Sequence, residues 1–173
     1  MALQRIETAG GTANPIRFNG NIQPQANANV YLGNLTYRFA TIYGVSNQAL
    51  YADLAENYQA DAPYPPGTVL AFGGAAEVTL AEDGTRAVAG IVSTNPAYLM
   101  NDSLAGPNVV SLALLGRVPC RVRGNIKKGD LLVSAGGGFA RPENQPIVGS
   151  VVGKALQDFD GAEGIIEVVV GKN

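Results

Sequence analysis

The sequence predicts an all-β protein: an extended N-terminal arm with short strands, followed by a compact β-sandwich or barrel. Three observations carry that expectation. Short runs rich in Val, Ile and Leu recur between Gly-bearing turns. No helical period of useful length interrupts them from Thr68 onward. The 173 residues include 22 Gly and 10 Pro, which punctuate strands rather than extend helices. A parallel βαβ arrangement would need helices between the strands, and that region offers none.

The arm is taken as residues 1–48. Residues 1–50 carry four charges, Arg5, Glu7, Arg17 and Arg38, against 7 Asn and 4 Gln. Their hydrophobes stand mostly alone, as at Ile6, Ile16, Phe18, Ile22, Val30 and Leu32. The alternations IRFNGNI and NVYLGNL predict strands of about three to five residues, separated by Asn-Gly and Gly-Asn turns. Low charge and the series Tyr31, Tyr37, Phe39, Tyr43 argue against disorder, yet the segment is too sparse to close a core. It is expected to order on a partner surface, with Ile16, Phe18, Ile22, Tyr31, Leu32, Tyr37, Phe39 and Tyr43 at the contact.

Residues 49–66 are read as a connector. Leu50, Leu54 and Tyr58 fall at i, i+4 and i+8, which predicts a short helix over 49–58. Pro63, Pro65, Pro66 and Gly67 end it. The β domain spans 67–173. Its expected strands are TVLAF, EVTLA, AVAGIVS, VVSLALL, RVPCRV, DLLVS, IVGSVVGKAL and GIIEVVV. Gly73-Gly74 and Gly136-Gly137-Gly138 lack any phosphate-loop context and read as hairpin turns. The piece from Asp158 to Gly161 also reads as a turn rather than a calcium loop.

The chemical vocabulary is thin. There is no His, so neither a Ser-His-Asp triad nor an imidazole metal ligand can be built. One Cys cannot form a zinc site or a disulfide within the chain. The expected reading is therefore no enzyme, no cofactor and no metal. No apolar run approaches the roughly 18 residues needed to span a bilayer, and the first residues do not resemble a signal peptide, so no membrane partner is expected. Charge is uneven: residues 51–110 hold seven acids, from Asp53 to Asp102, against Arg86 alone. By contrast, Arg117-Val118-Pro119-Cys120-Arg121-Val122-Arg123 alternates, with Val118, Cys120 and Val122 on one face and the three arginines on the other. That stripe is either a solvated strand face or a basic surface for the acids of a neighbouring subunit. Nucleic acid is not an expected partner, because the formal charge is -2 and no aromatics interleave the stripe.

Several motifs support a resemblance. Asn29-Val30-Tyr31-Leu32-Gly33-Asn34-Leu35-Thr36-Tyr37-Arg38-Phe39 with Ile42-Tyr43 resembles the "LGN-x-x-Y-x-F" signature of tailed-bacteriophage fibres and appendages. The likeness continues through residues 51–58, Pro66-Gly67-Thr68-Val69, residues 90–100, Gly116-Arg117-Val118-Pro119 and residues 128–134, and covers about residues 20–171. It implies a virion structural protein whose chains intertwine as a homotrimer. Some relatives are intramolecular chaperones that cleave themselves after trimerisation. That activity is not carried over, since Ser46 has no identifiable base nearby in sequence.

A long fibre needs a shaft and a base-attachment domain, for which this chain has no room. Two placements follow as expectations. The first is a capsid cement or decoration protein that stabilises the head shell against the major capsid protein. The alternative is a short tail or neck fibre, a remnant chaperone module at an appendage tip, binding tail or neck proteins and a receptor or carbohydrate through Tyr64, Tyr98 and Phe139. In either case Arg117, Arg121 and Arg123 are secondary contact residues.

Overall fold

The computed structural model describes residues 19–21, 31–34, 36–44 and 48–171. The chain divides into two units, Met1–Ser46 and Asn47–Asn173. The second is all-β, with no helix among the described residues. Ten strands form it: β1 (Asp53–Gln59), β2 (Val69–Phe72), β3 (Val78–Leu80), β4 (Val88–Val92), β5 (Tyr98–Met100), β6 (Val109–Ile126), β7 (Leu131–Ser134), β8 (Ala140–Pro142), β9 (Val151–Ala155) and β10 (Phe159–Val170).

The strands close on themselves. Order β6-β10-β9-β7-β8 returns to β6, making a five-stranded barrel whose last join is the parallel pair Val122 and Ala140. Closure removes the unpaired edges that an open sheet would expose. Inward-facing Val118, Cys120, Val122, Leu132, Ile166 and Val168 fill this barrel and are all but inaccessible. A second circuit shares β6 and runs β1-β6-β4-β2-β3. The parallel bridge between Ala60, just past β1, and Val78 closes it. Leu70, Val78, Val110 and Leu112 form its separate core.

β6 is what joins the two. Its first half lies along β1 and its second half along β10, and Gly116 pairs with both Asp53 and Val170. Leu112 and Ala113 are adjacent, so they point to opposite faces. Both are buried, one in each core. At Gly116 the backbone takes φ +112, and a side chain there would run into the Ala52 carbonyl. Glycine is thus required where the strand passes from one circuit to the other.

The structure changes several sequence expectations. VVSLALL and RVPCRV are one continuous strand, because Gly116 bends β6 without ending it. The helix expected over 49–58 is strand β1 instead. A segment of about ten residues is too short to hold a helix by itself, and here its backbone groups pair with β6 on one side and β5 on the other. Phe159 to Gly161 open β10 rather than forming a turn. The glycine runs do lie in hairpins: Gly73-Gly74 between antiparallel β2 and β3, Gly136 to Gly138 between antiparallel β7 and β8.

Candidate functional site

Among the described residues of the first unit, the large apolar side chains are exposed. Ile16, Phe18 and Ile22 lie outside the described residues. Around the LGN motif the chain makes one tight local turn: Asn34 Oδ1 accepts from the backbone N–H groups of Thr36 (2.9 Å) and Tyr37 (2.8 Å). The Asn34 N–H returns a bond to the Tyr37 carbonyl at 2.9 Å. Gly33 takes φ +87 just before this turn, and a Cβ there would lie 2.9 Å from the Tyr37 carbonyl oxygen. The motif's glycine and asparagine are therefore a backbone device that sets the direction of the flanking aromatics. Those aromatics are bare: Tyr31 is 86% exposed, Tyr37 77% and Tyr43 95%, with Leu32, Phe39 and Ile42 also largely open.

On β6 the arginine stripe is partly satisfied within the chain. Arg117 is exposed. The guanidinium carbons of Arg121 and Arg123 stand 4.1 and 4.2 Å from the centroid of the Phe139 ring, as cation–π contacts. Arg123 also pairs with Glu163 of β10 at 3.0 Å, and its buried Nε has no hydrogen-bond partner. Phe139 is only 7% exposed beneath the two arginines. It is not the stacking platform expected of an exposed loop aromatic, because the β7–β8 hairpin folds it under β6. Tyr64 is also half-buried, its hydroxyl donating to Asp61 at 2.6 Å and accepting from the Leu80 N–H at 3.2 Å. Of the three expected receptor aromatics, Tyr98 alone stays well exposed, on edge strand β5.

Several acids of the middle segment have partners within the chain. Asp83 pairs with Arg141 at 2.8 Å, and this pairing holds the guanidinium pKa above its ordinary value. Glu77 accepts the Gln59 N–H at 2.7 Å. The Tyr58 hydroxyl donates to Glu56 at 2.9 Å. Burial first, and then that bond, push the Tyr58 phenol up to about 12. Burial likewise pushes the Cys120 thiol up to about 12, so it packs as a small apolar residue rather than a nucleophile.

One arrangement escaped sequence reasoning. Asp53, at the start of β1, is 6% exposed, and its Oδ2 accepts a 2.6 Å bond from the Ser93 hydroxyl just after β4. The two residues stand at the base of a cleft of about 300 Å³. Leu50, Tyr51 and Pro119 supply its apolar walls, while Asn95 and Arg117 also line it. Forty residues separate Asp53 from Ser93, and no local spacing signals their meeting.

No protein-family model matches the sequence, and no curated protein matches it significantly. Solved structures match in fold. The chain is similar to the C-terminal fragment of bacteriophage phi29 gene product 12, with a TM-score of 0.54 at 14% identity, over 68% of this chain and 99% of that fragment. It is also similar to the pre-mature gene product 12 of the same phage, with a TM-score of 0.59 at 14% identity, over 79% of this chain. There it spans 24% of the longer protein. Identity this low makes the likeness one of fold.

Proposed function

We propose that this chain is a non-enzymatic structural protein of a tailed-phage virion, assembled as a homotrimer within a tail or neck appendage. The fold it shares with a fragment of a tail appendage protein supports this reading. So do the sequence motifs that resemble fibres and appendages. The observation that carries it is the run Tyr31, Leu32, Tyr37, Phe39, Ile42 and Tyr43, all largely exposed beside a turn that fixes their direction. Each is worth roughly 1.5–3 kcal/mol when fully buried. Six such side chains repeated in three copies provide enough burial to offset the ordering of the arm, whereas a lone arm cannot bury them against itself.

The cement reading draws no specific support from a likeness to an appendage protein. The appendage is therefore preferred to the head shell. Gold-labelled antibody against the β domain, applied to intact particles, tests the placement. Label confined to the tail or neck is expected, and label spread over the head would restore the cement reading.

A further inference from the structure

The cleft over Asp53 and Ser93 has the form of a pocket for a phenol. At about 300 Å³ it sits at the bottom of the range of small-molecule sites, roughly 300–1,000 Å³. That suits one large side chain better than a ligand of several rings. Its walls at Leu50, Tyr51 and Pro119 offer apolar contact to a ring. Its base offers a buried carboxylate with one oxygen, Oδ2, taken by Ser93. The other oxygen remains to accept a hydrogen bond, and a buried carboxylate gains most from a donor that arrives with its own apolar body. Tyrosine joins these two properties, an apolar ring and a hydroxyl tip that seeks a partner when buried. The same chain displays three tyrosines with most of their surface bare: Tyr31, Tyr37 and Tyr43.

We infer that this cleft receives one of those three tyrosines from a second copy of the chain, the ring lying against Tyr51 and Pro119 and the hydroxyl donating to Asp53. The inference rests on the trimeric reading above and assigns the pocket that reading lacks. It is distinct from the arginine stack on Phe139, whose ring is already covered.

Photo-cross-linking tests it directly. Benzoylphenylalanine replaces Tyr31, Tyr37 or Tyr43 in turn in the full chain, and ordinary and nitrogen-15 chains are refolded together. After irradiation, mass spectrometry identifies peptide pairs and whether they join light to heavy chains. At least one position should give mixed light–heavy pairs that map to residues 50–53, 93–95 or 117–119. Cross-links elsewhere, cross-links within single chains alone, or none from any position would overturn the pocket. In the first and last cases a trimeric mass by light scattering would leave the trimer reading standing, and a monomeric mass would remove both. As an independent arm, Thr94→Trp on the exposed rim should fill the cleft and weaken association about tenfold or more, the scale of a central interface residue. Unchanged association of a folded Thr94→Trp chain would also count against the pocket.

Discussion

Tyr58 shows how much a single side chain can report about the fold. Its ring packs edge-on to Phe72 with centroids 5.8 Å apart, and its hydroxyl is tied to Glu56. Burial and that carboxylate both disfavour the tyrosinate, which lifts the folded pKa to about 12 from an ordinary 10. Because the folded value is the higher one, the stabilisation is fully present below pH 10 and is lost as pH rises towards 12. Burial and its bond to Asp61 raise Tyr64 as well, so an alkaline titration followed by tyrosinate absorbance should show Tyr58 titrating last, a late step that Tyr58→Phe removes. If the late step survives that substitution, the assignment is wrong. The residue scale also shows what local sequence could and could not reveal. Alternation alone put Val118, Cys120 and Val122 inward and the arginines outward, and burial agrees. The ring beneath the arginines was hidden, because Phe139 reaches them only through the β7–β8 hairpin.

At the scale of elements, β1 is the instructive case. Leu50, Leu54 and Tyr58 are spaced by four, which places them on one face of a helix but equally on one face of a strand, since four is an even number. Spacing could not decide between them. Pairing with β6 and β5 did, and no local pattern encodes those partners. Other strands were legible because Gly-bearing turns bound them on both sides. VVSLALL and RVPCRV read as two strands on either side of Gly116, yet that glycine acts as a bend within one strand. Gly116→Ala should accordingly cost more than Gly124→Ala. Both positions have positive φ, but only Gly116 has the Ala52 carbonyl in the way, while nothing lies within 4 Å of a Cβ at Gly124. Backbone strain alone predicts about 1–2 kcal/mol at Gly124, and the clash should add roughly as much again at Gly116. Urea unfolding monitored by circular dichroism would measure both, and equal losses would contradict the role given to Gly116.

On the scale of the whole molecule, the two closed circuits explain why the β domain can stand as a compact body, with β6 contributing to both cores. The described residues of the first unit differ, with Tyr31, Leu32, Tyr37, Phe39, Ile42 and Tyr43 all largely exposed. An all-β domain was legible in the sequence from strand-and-turn rhythm. The closure into circuits was not, since it depends on joins as small as the pair Val122 and Ala140 and the bridge between Ala60 and Val78. Assembly through the arm, as proposed above, is a property of the whole molecule and is tested on it. The most direct measurement is the solution mass of the full chain and of a chain lacking residues 1–48, by size-exclusion chromatography with light scattering. Three times the 17.9 kDa chain mass is expected for the full protein, and a monomer or an aggregate for the truncated one. A full chain that stays monomeric at every concentration, or a truncated chain that remains a stable trimer, would contradict it.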